Sequence, residues 1–487
     1  MSSNYREQWN AVGGHFPSHW QFCKLEDLLE NNKGIAVGVM YPGNHTTEGI
    51  PLIKVGDVKN GYIDIQPSYC ISKEVDEEYK RTRLNGSELL ITLVGNPGDC
   101  VVVESHMAGW NVARALAVVR LRDTSLREWL RYLLLSKPAK YLIDARLNTT
   151  VQKTLNLKDI RELGVPIPPQ KERSFITDII SFIERKIIIN SNINKTLEQI
   201  AQALLKSWFV DFEPVKAKIA VLEDGGSREE AMLAAMTAIC GKSPDALAIF
   251  EREHPEQYAE LKATVELFPS VMQDSELGEI PEGWTIENLG SIIEFNPKRI
   301  LKKGINAPYL DMKNVPVIGH SVQEVVCREV TSGTKFKNGD TLLARITPCL
   351  ENGKTAFVDF LSSDNAVGWG STEFIVMRVK RELPLSLSYF IARLESFRMA
   401  AIQSMQGTSG RQRADAAVLK NMQWVIPPDA LLVKFGKFSN FVIDNNRVKH
   451  NQNIQLSQLR DTLLPKLLSG EITLPEAEEI AKEADYV

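Results

Sequence analysis

The sequence predicts an α+β protein: two pseudo-repeated α+β modules separated by a pair of long antiparallel coiled-coil helices. Three observations predict it. The second half of the chain answers the first, so one structural unit is used twice. Each half begins with short β-type runs broken by turns and ends in a heptad-spaced helical stretch. The offset between the halves drifts early and then becomes constant, which separates variable modules from segments of fixed length.

The repeat is visible in short strings. Pro17-Ser18-His19-Trp20 is answered by Pro281-Glu282-Gly283-Trp284, and Pro51-Leu52-Ile53-Lys54 by Pro308-Tyr309-Leu310-Asp311. Asn85-Gly86-Ser87-Glu88-Leu89-Leu90 is matched to Asn338-Gly339-Asp340-Thr341-Leu342-Leu343, an offset of 253. From Thr149-Thr150 onward the offset is 259: Thr408-Ser409, Ile426-Pro427-Pro428 against Ile167-Pro168-Pro169, and Leu463-Leu464 against Leu204-Leu205. The boundaries that follow are modules at 1–149 and 281–407, fixed segments at 150–212 and 408–470, a linker at 213–280 and a tail at 471–487.

Within the modules, strands are expected in 88–94, 100–105 and 115–121, and again in 340–346, 355–360 and 374–379. Helices are expected over 125–144 and 385–405. In the first fixed segment Ile176, Ile180, Ile183, Ile187, Asn190, Asn194, Leu197, Ala201, Leu204 and Trp208 recur in steps of four and three, a heptad seam. Phe435, Phe438, Val442, Asn445, Gln452, Leu456, Leu459 and Leu463 form a comparable stripe, with Gly470 as its stop. The double prolines suit helix starts. Some 42 residues at ~1.5 Å each give a helix about 60 Å long. An antiparallel coiled coil is favoured over two unrelated core helices. Asn190 and Asn194, with Lys449 and Asn453, either fix register in the seam or face solvent. Trp208-Phe209 packs in a core or on a partner. The linker should hold helices at 228–240 and 244–268.

Charge is unevenly spread. The net charge is −4, yet the linker carries 6 basic and 14 acidic residues and the tail 1 and 6, while 408–470 carries 9 and 4. The remaining body is modestly basic, which leaves a phosphate-binding face possible. Six cysteines form no CxxC pair, as in a reduced, cytoplasmic protein. No apolar run reaches the ~18 residues of a membrane span, and the start does not read as a secretory signal.

Catalytic motifs are missing. Asn352-Gly353-Lys354-Thr355 has the tail of a phosphate loop, but Pro348 stands where its first glycine is required. Gly95-Asn96-Pro97-Gly98 is a turn without GxGxxG spacing. Asn296-Pro297-Lys298 lacks the second proline and aromatic of an amino-methyltransferase turn. The seven histidines form no HExxH or triad signature. No catalytic or metal site is expected.

The order of elements resembles the specificity subunit of type I restriction–modification enzymes. So do several strings: 344–354 (ARITPCLENGK), Gly370-Ser371-Thr372-Glu373-Phe374, Val165-Pro166-Ile167-Pro168-Pro169-Gln170 and 274–284 (DSELGEIPEGW). The resemblance implies a non-catalytic subunit whose two target recognition domains each read one half of a bipartite, asymmetric DNA site. Its helices would act as a ruler and dock two modification (methyltransferase) subunits. Those partners would supply S-adenosylmethionine chemistry, and restriction subunits ATP and Mg; this chain would hold no cofactor. Half-sites one turn apart lie ~34 Å apart, within reach of a ~60 Å helical pair.

DNA-contact candidates are polar or basic residues near turns. In the second module they are Arg345, Thr347, Asn352, Lys354, Ser371 and Thr372, with Arg345 suited to guanine and Lys354 to phosphate. Thr92, Asn96 and Arg114 are their first-module counterparts. The junctions contribute Thr149, Thr150, Gln152 and Lys153, and Thr408, Ser409, Arg411, Gln412 and Arg413, as phosphate-positioning groups or helix-capping loops. Three other functions compete: a stand-alone DNA-binding regulator, an atypical DNA-modifying enzyme, and a scaffold with no DNA role.

Overall fold

The computed structural model describes residues 2–58, 61–63, 66–147, 153–380, 382–407 and 412–472. It divides into two compact units, one of Met1–Ile187 with Ile454–Val487 and the other of Ile188–Asn453.

Unit 1 is built on an antiparallel sheet in the order Ile35–Val37, Leu116–Val119, Leu89–Thr92, Cys100–Val102. A second sheet holds Ile50–Ile53 between Cys70–Ile71 and the parallel Asn111–Val112. Alternation along Leu89–Thr92 sends Leu89 and Ile91 into the main core and Leu90 into a smaller one with Val101, Val112 and Val118. Gln21–Lys24 pairs antiparallel with Gly164–Ile167. Trp9 and Trp129 donate their indole N–H groups to the carbonyls of Gly164 and Pro166, at 2.7 and 2.9 Å. The boundary drawn at 149/150 therefore cuts through one packed unit.

Unit 2 repeats the plan. Its sheets run Ile293–Phe295, Phe374–Val379, Thr341–Ala344, Thr355–Phe357 and Val326–Glu329, Asn306–Leu310, Gly368–Gly370, Thr334–Phe336, and Thr285–Asn288 pairs with Gln423–Ile426. The structural register corrects the matched strings by one residue. Leu89 lies opposite Val119 as Thr341 lies opposite Met377, so Glu88 corresponds to Asp340 rather than to Thr341. A one-residue slip would exchange core and opposite faces of the strand. Glu88 and Asp340 are both fully buried and do the same work. Glu88 accepts the backbone N–H groups of Asn85, Gly86 and Ser87 and pairs with Arg120; Asp340 accepts Lys337 N–H and pairs with Arg299 and Arg378.

Each expected module helix is two helices. Ser136 turns extended (ψ 150°) between Leu126–Leu135 and Lys137–Asp144, and its hydroxyl caps Ala139 N–H. Leu394 (ψ 136°) separates Leu387–Arg393 from Glu395–Gln403. The linker has Glu213–Glu223 and Arg228–Cys240, but 244–268 breaks at His254, which Pro255 disfavours in helical geometry. Among the described residues no single helix is long and apolar enough to cross a membrane.

The long helices are Gln170–Phe209 and Asp429–Ser469, each starting directly after its proline pair. Their seam is apolar on either side of a polar layer. In unit 1 Ile176, Ile180 and Ile183 pack with Leu456, Leu463 and Leu467. In unit 2 Ala201, Leu205, Trp208 and Phe209 pack with Phe435 and Val442. Trp208 and Phe209 are core residues, in edge contact with Phe268 and Phe435. Asn190, 1% exposed, donates to Asn453 Oδ1 at 3.0 Å, and Asn194 donates to the Asn446 carbonyl at 3.2 Å, so the helices run antiparallel here with a polar layer in the seam.

One buried charge ties each unit to the first long helix. Glu184 accepts hydrogen bonds from Arg131, Tyr62 and Tyr132, the last at 2.9 Å. Glu198 accepts from Tyr389 at 2.6 Å and Arg393 at 3.3 Å. Burial pushes the Tyr62, Tyr132 and Tyr389 phenols well above their ordinary range, keeping them as donors. Glu184→Ala leaves the Arg131 guanidinium, 3% exposed, without its principal counter-charge. The expected cost is about 3–5 kcal/mol, read as a fall in the denaturant midpoint. The same measurement on the exposed Glu77→Ala should show almost no change.

Candidate nucleic-acid interface

In unit 2 three segments meet beyond the end of strand Thr341–Ala344. Arg345 N–H donates to Glu373 O at 2.9 Å, Ala414 N–H donates to Arg345 O at 2.8 Å, and Thr347 N–H donates to Gln412 O at 3.1 Å. The strand end, the turn at Ser371–Glu373 and the junction at Gln412–Arg413 are thus held by main-chain bonds. That arrangement fixes the backbone and leaves side chains free to vary.

Unit 1 builds the same meeting point. Leu93 N–H donates to Ala115 O at 2.8 Å and Leu155 N–H to Leu93 O at 2.9 Å, while Val94 bridges Thr154 as Ile346 bridges Arg413. Matching the two patterns sets Leu93 against Arg345, Arg114 against Thr372 and Thr154 against Arg413. The scaffold is shared and the chemistry is not.

The individual candidates divide by availability. Asn96 and Arg114 are exposed, and the Arg114 guanidinium has no ion-pair partner among the described residues. Thr92 is 2% exposed and its hydroxyl donates to the Asn96 carbonyl, so it shapes the turn instead of facing outward. Lys153 is exposed, with its Nζ 3.8 Å from Asp144. Asn352 and Thr372 are exposed, and Ser371 Oγ accepts Glu373 N–H at 3.1 Å. Lys354, the phosphate candidate, is engaged elsewhere: its ammonium donates to the carbonyls of Met312 and Lys313 at 2.8 and 3.4 Å, closing a helical turn. Thr149, Thr150, Gln152, Thr408, Ser409 and Arg411 lie outside the described residues.

Arg413 makes a bidentate pair with Glu373 at 2.7–3.0 Å, and Arg345 stands near enough to add to the same field. Hydrogen bonding from Arg413, then its charge and that of Arg345, holds the Glu373 carboxyl below the usual carboxylate range against the opposing effect of burial. Arg345 Nε is buried without a partner among the described residues. Two guanidiniums around one carboxylate leave a net positive charge at a surface rich in turn polars, the composition that positions phosphate and reads base edges.

Sequence reasoning missed the connection 296–305 of unit 2. Lys298, Lys302 and Lys303 are exposed there and Ile300 is 91% exposed. The signal is the basic run itself, which in sequence serves only to exclude a methyltransferase turn. Among the described residues no group of three or more His, Cys, Asp or Glu side chains could hold a metal ion.

Comparison with known proteins finds relatives that match along nearly the whole chain. Residues 17–199 match the model of the type I restriction modification DNA specificity domain. The chain is 27% identical over 477 residues to the type I restriction enzyme HindI specificity subunit of Haemophilus influenzae, covering 93% of this chain and 100% of that one. It is 23% identical over 485 residues to the MjaIX specificity subunit of Methanocaldococcus jannaschii, covering 95% and 96%. The crystal structure of a type I restriction–modification S subunit from M. genitalium aligns over 92% of this chain and 96% of that chain at 13% identity, with a TM-score of 0.49.

The Arg413–Glu373 pair gives a direct test of the electrostatics. Arg413→Ala should raise the Glu373 titration midpoint toward the ordinary carboxylate value, followed by NMR of selectively labelled Glu carboxyl carbons. Because the folded-state midpoint is depressed, the pair stabilises above the unfolded midpoint and its contribution is lost as pH falls through the folded one.

Proposed function

We propose, from the premise that this chain belongs to the specificity subunits of type I restriction–modification enzymes, that it reads a bipartite, asymmetric DNA site with one half-site per unit. The observation that carries the reading is the meeting point built twice on one backbone plan with unlike side chains. A repeated reader with identical faces would select a symmetric site. Leu93, Arg114 and Thr154 in one unit, set against Arg345, Thr372 and Arg413 in the other, make the two readers different. In this reading the chain performs no catalysis. It acts on cytoplasmic DNA, with S-adenosylmethionine chemistry in modification subunits and ATP- and Mg-dependent chemistry in restriction subunits.

The long helices support partner docking. Phe182 (46% exposed) and Ile189 (53%) on the first recur as Phe441 (56%) and Val448 (52%) on the second, at the 259-residue offset of the repeat. Large apolar side chains seven residues apart on a helix lie on one stripe, and such exposed stripes mark interaction sites. Two copies of one stripe suit two copies of one modification subunit. The fixed length of these segments suits a ruler that sets the gap between half-sites.

Two measurements test the proposal. Adenine-methylation mapping in cells with the chain and its neighbouring modification subunit should reveal a gapped, two-part motif that vanishes when the chain is deleted. Unchanged methylation with an active partner would refute the recognition role and favour the regulator or scaffold. Native mass measurement should show two modification subunits on the wild-type chain, one on Phe441→Ser/Val448→Ser and none when Phe182→Ser and Ile189→Ser are added. Folding should be nearly unaffected, since all four residues are exposed.

A further inference from the structure

The connection 296–305 joins the two four-stranded sheets of unit 2, and it is pinned at four points. Asn296 takes a left-handed conformation (φ 52°), donates its N–H to Val376 O at 2.7 Å and accepts Val376 N–H on its side chain at 3.0 Å. Arg299 turns inward to Asp340 at 3.1 Å. Leu301 packs against Ala307, Val330 and Trp369, and its carbonyl accepts from Lys335 at 3.1 Å. Gly304 (φ 83°) donates to Val330 O at 3.0 Å.

Between these anchors the outward positions are Lys298, Ile300, Lys302 and Lys303. With Arg299 and Leu301 both directed inward, Ile300 has nowhere to go but solvent, and at 91% it is the most exposed large apolar side chain among the described residues. None of the three lysines has an ion-pair partner among the described residues. No acidic residue occurs from 295 to 310. The shallow groove beside Lys303 carries a single acid, the exposed Glu329. A pinned loop that presents an exposed apolar side chain with three exposed lysines within three residues of it in sequence is complementary to a stacked base step between phosphates. Proteins that insert aliphatic side chains between bases use this combination.

We propose that Ile300 is an apolar wedge that enters a base step in the half-site read by unit 2, with Lys298, Lys302 and Lys303 on the flanking phosphates. The inference rests on the DNA-reading function proposed above. The equivalent connection of unit 1, residues 38–49, presents Met40 (43% exposed) and Tyr41 (76%), so outward apolar side chains here belong to the shared plan.

The test uses the full chain assembled with its modification subunits and duplexes carrying the mapped site, with 2-aminopurine substituted singly along the two half-sites. Wild type should raise emission at a step of one half-site. Ile300→Ala should abolish that rise and weaken binding about tenfold, with the thermal midpoint unchanged. Lys302→Ala/Lys303→Ala should keep the rise but flatten the log–log salt dependence by about 2. Specific wild-type binding with an emission profile that Ile300→Ala leaves intact would overturn the wedge alone. Wild-type binding with no preference for the mapped site would overturn the DNA-reading function, and the wedge with it.

Discussion

Everything at the candidate interface depends on the main-chain junction at the end of one sheet strand, made by Leu93 with Ala115 and Leu155 and remade by Arg345 with Glu373 and Ala414. Backbone hydrogen bonds do not depend on side-chain identity, so the junction survives the replacement of Leu93 by Arg345 or Arg114 by Thr372 between the units. Each loop is held at the same place while its chemistry changes. A recognition surface that must diverge without unfolding needs this separation of support from readout.

Support is reinforced by charge placed where water is excluded. Glu88 and Asp340 hold the turns that lead into the same strands, by backbone N–H groups and an arginine at the neighbouring strand. Glu184 and Glu198 tie the helical part of each unit to the first long helix through tyrosine and arginine donors. A buried carboxylate surrounded by fixed donors is costly to strip of any one of them, and that cost makes the arrangement specific.

The heptad seam was legible because its period is repeated over many turns: Ile176, Ile180, Ile183, Ala201 and Trp208 are all buried as the spacing requires. The module helices were legible as helical but not as broken, because a single extended residue such as Ser136 or Leu394 leaves the apolar periodicity on either side intact. The matched strings at Asn85 and Asn338 slipped by one because identity of asparagine, glycine and leucine outweighed the strand's inside–outside alternation. Lys354 looked like a free cation because its acceptors, the carbonyls of Met312 and Lys313, are some forty residues away in sequence. Connection 296–305 was overlooked for a similar reason. Its basic run is visible in the sequence, but the contacts of Arg299 with Asp340 and of Leu301 with Trp369, which leave Ile300 outward, join residues forty or more positions apart.

The polar layer in the seam bears on why the helices are not simply apolar throughout. A heptad pair can also associate when slipped by seven residues, because the same stripe then meets itself again. In unit 2 Asn190 meets Asn453, Asn453 in turn donates to Ser191 at 3.1 Å, and Asn194 meets the main chain of Asn446. A slip of one heptad in one direction brings Asn446 to the level of Ala201, which has no side-chain amide to donate to the Asn446 carbonyl as Asn194 does. The opposite slip brings Asn194 to the level of Ser439, which is already bonded to Ser386 at 2.7 Å, and takes Asn453 away from Asn190. Either way the Asn190–Asn453 and Asn194–Asn446 bonds of this register are broken, at about 1–3 kcal/mol for each buried group left without a new partner. The layer gives up some packing energy and in return makes one register of the two helices better than its neighbours, which is the property a segment of fixed length requires.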